Sequence, residues 1–331
     1  MKELRRVIPL LLLVTMLSVP VIVRAGTLTS CSFDETGAVV SVTVDGIATI
    51  ARLGDAIAID GIACDTATIA NTDRIMVDAT AASAITIDLS QGSLAPGLTD
   101  EGDGRSEIET EIEHGTDIAV AVVGSDGDDT LALARISDGG VLDAIDFDAV
   151  GPDLDVDLTL HADDATSVSI DAGGGNDRLD VSGTPYGVPY TGASTLQGGE
   201  GRDILVFGGA LETTEPTFLG GPGRDTLNIS ALAGDELASV DLTYGVAIVG
   251  ATSAESVAGI ETVIGHGGLD ILVGASGRQT LKGGGGGDII EGRAGDDLLR
   301  GGTGGDDLRG GSGVDTCLGG PGNDSLTRCE H

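Results

Sequence analysis

A nine-residue period constrains this chain more than any other feature. From position 265 the sequence reads GHGGLDILV, GASGRQTLK, GGGGGDIIE, GRAGDDLLR, GGTGGDDLR, GGSGVDTCL and GGPGNDSLT, without a gap, to position 327. Glycine holds the fourth place of every unit. Aspartate holds the sixth in all but one, where Gln279 replaces it. The eighth place is apolar throughout: Leu272, Leu281, Ile290, Leu299, Leu308, Cys317 and Leu326. Glycine loses the most conformational freedom on ordering, and stacked aspartates repel. A flexible linker would account for the glycine but not for an apolar residue kept in phase. The pattern therefore calls for an ordered fold in which something offsets both costs.

The pattern G-G-x-G-x-D-x-U-x resembles the calcium-binding nonapeptide of the repeats-in-toxin (RTX) family, over about a fifth of the chain. The resemblance implies an all-β fold, a right-handed parallel β-helix (β-roll) solenoid. It should be regular at the C-terminus and preceded by a more irregular β-rich N-terminal part. The residue chemistry agrees. Glycine permits the positive φ of tight turns, and the three residues after the aspartate suffice for one short strand with its middle residue inward. Two units make a coil of eighteen residues, and coils stack about 4.8 Å apart. Asp270, Asp288, Asp306 and Asp324 then line one edge, Asp297 and Asp315 the other. Carboxylates about 5 Å apart repel by roughly 3 kcal/mol at an effective dielectric near 20.

Calcium between them, completed by backbone carbonyls, reverses that sign. The expected carbonyls are those of Gly284, Gly286, Gly302, Gly304, Gly311, Gly313, Gly320 and Gly322. About four strong Ca2+ sites follow for 265–327. At ~1 mM calcium and a Kd near 0.1 mM each contributes about 1.4 kcal/mol, so folding should depend on calcium.

The first 25 residues, with a basic start, an apolar run from Val7 to Val23 and Ala25 before Gly26, read as a secretory signal peptide. The expected location is extracellular, with no transmembrane span after cleavage. RTX toxins and proteases typically leave in one step through a C-terminal signal, without an N-terminal one. This departure points to a small exported calcium-binding protein rather than a toxin. The formal net charge is −36, and removal of the basic start makes it more negative. That excludes nucleic acid and anionic membranes as partners and suits a chain that loads cations. Mean hydropathy is nevertheless +0.20, and aromatics are only 2%, as a narrow aliphatic-filled solenoid requires. Order and distance favour disulfides Cys31–Cys64 and Cys317–Cys329, among three connectivities that four cysteines allow. Cys31 in LTSC also bears a faint likeness to a lipoprotein box, which Arg24 opposes.

Residues 26–123 form a β-rich N-terminal region with alternating runs such as VVSVTV (39–44) and AITIDL (84–89). Within it, Glu107, Glu109, Glu111 and Glu113 share one strand face, read as a solvated face rather than a second cation site. Between 124 and 264 the nonapeptide returns singly, its aspartates being Asp129, Asp177, Asp203 and Asp225. No two of these are eighteen apart, so they are weaker metal candidates on a solenoid interrupted by loops. Residues 265–331 form the regular roll with its cap.

No HExxH or GxSxG motif occurs. The four histidines are isolated, and His266 reads as a surface substitution in a turn. Tyr186, Tyr190, His161 and Arg178 form the one local cluster that could serve a sugar, although GTPYGVPY (183–190) reads more simply as a loop. The expectation is a secreted, non-enzymatic calcium-binding protein with a structural, adhesive or envelope role, its partner a cell-surface or matrix polysaccharide or a protein. The rivals are a polysaccharide-modifying β-helix enzyme and a toxin-like RTX protein.

Overall fold

The structure is a computed structural model that describes residues 21–24, 27–94, 98, 108–114, 118–137, 141–146, 158–161, 167–183, 188–190, 192–208, 216–232, 234, 237–249 and 252–330. Most of the segment read as a signal peptide lies outside these, as do Glu107, Tyr186 and His331. Only Val21–Arg24 is described there, paired antiparallel with Thr27–Asp34. Among the described residues every regular element is a strand, and no helix is long and apolar enough to cross a membrane.

The strands form two rows of mostly parallel pairings, consistent with a β-helix-like arrangement. One row runs through Thr130–Ser137, Arg178–Asp180, Ile204–Val206, Thr226–Asn228, Thr262–Ile264, Thr280–Gly285, Leu298–Thr303 and Thr316–Leu318, each parallel to the next. The other passes through Ala119–Val123, Ser167–Asp171, Ser194–Gln197, Thr217–Leu219 and Thr252–Ala258. It resumes with Ala238–Asp241, Asp270–Val273, Ile289–Ala294, Asp307–Ser312 and Ser325–Thr327. Val246–Val249 joins these two halves by antiparallel pairing. The first row carries a matching insert, where Val141–Asp146 pairs antiparallel with Thr130–Ser137 and Leu158–His161.

The stack already begins in the N-terminal part. Val39–Leu53 and Arg74–Asp88 are long enough to contribute to both rows and pair parallel with each other. Arg74–Asp88 then pairs parallel with Glu109–His114 and with Ala119–Val123. Alternation makes the core, because one face of each strand turns inward. Val40, Val42, Val44, Ile75, Val77, Ile85 and Ile87 are all buried. In the regular array the eighth place is buried at Leu272, Leu281, Ile290, Leu299, Leu308 and Cys317, whereas Leu326 on the last strand is 50% exposed because no later coil covers it. Phe207 and Phe218 meet edge to face, with centroids 5.8 Å apart.

The expected pairings of cysteines are both formed. Cys31–Cys64 and Cys317–Cys329 have Cα–Cα distances of 5.8 and 5.7 Å.

Candidate metal centre

Each unit of the array turns at its glycines and returns to a strand at its aspartate. The aspartates stack, as the period requires, but through a directed contact. The backbone N–H of Asp270 donates to Oδ1 of Asp288 at 2.9 Å, that of Asp288 to Asp306 at 2.9 Å, and that of Asp306 to Asp324 at 3.1 Å, each 18 residues on. On the other edge Gln279 donates to Asp297 at 2.8 Å and Asp297 to Asp315 at 3.0 Å. One oxygen of each carboxylate thus satisfies an amide of the rung before. The other oxygen has nothing: Oδ2 of Asp288, Asp297, Asp306 and Asp315 is buried without a hydrogen-bond partner. These residues are at most 2% exposed. A buried, unpaired carboxylate oxygen is costly.

The isolated units join the same ladder, which differs from the sequence expectation. Asp129 donates its N–H to Asp177 across 48 residues, Asp177 to Asp203 across 26, and Asp203 to Asp225 across 22. Asp225 donates to Oε2 of Glu261 across 36 residues. Thr262 then pairs with Thr280, carrying the edge on to Gln279 and Asp297. The intervening chain loops out, so an unequal spacing in sequence becomes an equal spacing in space. Oδ2 of Asp177, Asp203 and Asp225 is likewise buried and unpartnered.

Both ladders begin on a rung satisfied within its own turn. Asp129 accepts from the N–H of Ser125 at 2.8 Å and from its hydroxyl at 3.0 Å. Asp270 accepts from the N–H of His266 at 2.8 Å, while His266 Nδ1 lies 2.8 Å from its Oδ1. His266 is therefore not a surface substitution. It is 3% exposed and closes the first rung of its edge.

The glycines are placed by close approach. A Cβ on Gly301 would meet Oδ2 of Asp306 and stand 2.7 Å from the carbonyl oxygen of Gly319. On Gly292 it would stand 2.5 Å from Oδ2 of Asp297 and 2.6 Å from the carbonyl of Gly310. The open carboxylate oxygen and the first-glycine carbonyl of the next coil thus converge on one small space. The sequence reading named second- and fourth-place carbonyls instead. Of these, the carbonyls of Gly284, Gly286, Gly302 and Gly304 face the glycines one coil later, Gly302, Gly304, Gly320 and Gly322. Gly311 and Gly313 likewise face the carbonyls of Arg293 and Gly295. The signal for the first place was present, since glycine stands at 265, 274, 283, 292, 301, 310 and 319 alike.

Without a cation, burial raises six of the ladder acids. It pushes the carboxyl of Asp288 up to about 7, that of Asp177 to about 7 and that of Asp225 to about 6, opposed by the amide each accepts from. Asp203, Asp270 and Asp297 are raised for the same first reason. Among the described residues no three His, Cys, Asp or Glu side chains gather at one point. A ladder of single carboxylates must therefore draw its other ligands from the backbone. All-oxygen donors of this kind suit a hard cation that takes several carbonyls, which is the chemistry of calcium. Asp324, on the last rung among the described residues, is half-buried.

A model of the RTX calcium-binding nonapeptide repeat (4 copies) matches residues 165–183, 190–210, 257–290, 264–299, 273–308 and 291–326. The chain carries RTX calcium-binding nonapeptide repeats. The RTX match takes in Asp177 and Asp203 as well as the contiguous array. No curated protein matches the chain.

The other candidates are placed as follows. Tyr190 is buried in the core, Arg178 pairs with Asp180 at 2.6 Å, and Val188–Pro189 pairs with Ala134 and Arg135. His161 is a strand residue paired with Glu113 and Leu142. Ile108 and Ile112 are buried, and Arg74 contacts Glu109 and Glu111 at 2.8 and 3.5 Å. That neutralises part of the acidic face without a metal.

Proposed function

We propose that this chain is a secreted calcium-binding protein whose two rows of strands close into a right-handed β-roll, with folding coupled to the ion. One observation carries the reading. Seven buried carboxylate oxygens, on Asp177, Asp203, Asp225, Asp288, Asp297, Asp306 and Asp315, lack any partner. Calcium beside each would convert an unpaired buried charge into a ligand, with the neighbouring carbonyls completing the shell. The earlier expectation of about four strong sites becomes seven, because the interrupted units supply three.

Export is supported by the basic-apolar start and by two disulfides, which persist in oxidising compartments. The role is structural or adhesive, through an outer surface offered to an envelope or matrix polysaccharide or to a protein, and it involves no catalytic step. Of the cluster that an enzyme would use, Tyr190 packs in the core and Arg178 is held by Asp180.

Calcium titration of the full chain, followed by circular dichroism and thermal melting, tests the reading. Chelator should lower both the β signal and the Tm, and melts unchanged by calcium or chelator would overturn it.

A further inference from the structure

The segment that follows the last nonapeptide does what a further coil would do, but on one edge only. The N–H of Asp315 donates to Oε2 of Glu330 at 2.6 Å, the contact that Gln279 and Asp297 make with the next aspartate on this edge and that Asp225 makes with Glu261. In return the N–H of Glu330 donates to the carbonyl of Asp315 at 2.9 Å. At Gly310 the carbonyl oxygen of Arg328 lies where a Cβ would stand, beside Oδ2 of Asp315. That is the place taken by the Gly310 carbonyl at Gly292 and by the Gly319 carbonyl at Gly301. Arg328 reaches it with φ of 54°, a left-handed conformation that a non-glycine residue holds only where its surroundings impose it. The Cys317–Cys329 disulfide ties the adjoining residue to the inward eighth place of the sixth unit. Asp315 is 1% exposed and its Oδ2 has no partner. On the opposite edge, the three atoms nearest to a Cβ on Gly319 all belong to its own Asp324, and Asp324 is half-buried.

We propose that Arg328–Glu330, pinned by the disulfide, complete a divalent-cation site at Asp315, with the Arg328 carbonyl as a ligand and the Glu330 carboxylate as the second nearby charge. The proposal rests on the calcium reading above. Among the described residues it makes the two edges unequal, since Asp315 gains the Arg328 carbonyl and the Glu330 carboxylate while the atoms nearest to Gly319 are those of Asp324 itself. The disulfide acts as the positioning element, because it holds the carbonyl within reach of the carboxylate before the ion arrives.

The test is calcium stoichiometry of the full-length protein, measured by native mass spectrometry and equilibrium dialysis with calcium alone. Asp315→Asn, Glu330→Gln and Cys329→Ser should each lose the same single calcium, and Asp315→Asn combined with Glu330→Gln should lose no more than either alone. Glu330 is exposed, so its substitution leaves the fold intact, as circular dichroism would verify. Asp324→Asn should lose no terminal site of its own. If Asp315→Asn loses an ion while Glu330→Gln and Cys329→Ser keep the full number at unchanged affinity, the segment takes no part and the proposal fails. If the unaltered protein takes up no calcium, the calcium reading fails first, and the site with it.

Discussion

The contiguous array from 265 to 327 and the interrupted stretch from 124 to 264 differ in everything a repeat search measures, yet they build the same ladder. In the array each aspartate meets the next 18 residues on. In the interrupted stretch the separations are 48, 26, 22 and 36 residues. The contact is the same in both, a carboxylate oxygen on the amide of the preceding rung at 2.8 to 3.1 Å. Register is therefore kept by that bond together with the inward apolar residue, Leu179, Leu205 and Leu227 in one region and Leu281, Leu299 and Leu308 in the other. A constant period is one way of meeting these two conditions, and loops of unequal length are another.

Removing calcium is expected to have the largest effect on this comparison. Seven sites at about 1.4 kcal/mol each amount to roughly 10 kcal/mol at ~1 mM calcium, similar to a domain's whole net stability. The two regions should melt together, as one ladder. Hydrogen exchange showing that the interrupted stretch keeps its protection in chelator while the array loses it would separate them. The calcium-free protein should also depend on pH in a defined direction. Its raised carboxyls, near 7 at Asp177 and Asp288 and near 6 at Asp225, bind more protons folded than unfolded. Their contribution is full below about pH 4 and falls away as pH rises through 6 to 7. Without calcium, the Tm at pH 5 should exceed that at pH 8, and saturating calcium at pH 8 should restore it.

A methyl group on the first glycine is expected to have the next largest effect. Gly301→Ala and Gly220→Ala each place a Cβ against an aspartate carboxylate and a backbone carbonyl, at a cost of about 3 kcal/mol. Equal losses in urea denaturation would support one construction in both regions. A harmless Gly220→Ala beside a damaging Gly301→Ala would show that the interrupted turns are looser.

Single carboxylates should matter less. Asp306→Asn and Asp203→Asn should each remove about 1.4 kcal/mol of calcium-dependent stabilisation, read as the difference in Tm with and without the ion. In chelator both should be neutral or stabilising, since each deletes an unpaired buried charge. The smallest effect belongs to Asp307→Asn. Asp307 faces solvent and pairs with Arg309 at 2.8 Å, so calcium affinity should not change and stability should shift by less than about 0.5 kcal/mol.

Much of this was open to a reader of the chain. The in-phase aspartates, the buried eighth place and the outward Asp307 follow from the period, and order favoured the two disulfides among three connectivities. What escaped shares a physical cause, which is that substitutes carry no periodic mark. Glu261 and Glu330 stand in for an aspartate from unrelated positions, and Ser125 and His266 close the first rungs from inside their own turns. A lone histidine among glycines has no apolar neighbours in sequence, so nothing local announces that it is buried. The parallel pairing of Val39–Leu53 with Arg74–Asp88 was hidden similarly, because alternation marks a strand but does not name its partner.

The ladder counts rungs and not residues, which inverts the usual tolerance of a protein to change. Between Asp129 and Asp177 the chain accommodates 48 residues where 18 would serve. At Gly301 it has no room for a single added carbon. Length is the free variable in this molecule and volume the fixed one. A chain built this way should accept insertions between its turns far more readily than added volume within them. A designer wishing to graft a foreign loop would find the acceptor sites already in use, at the places where the spacing departs from eighteen.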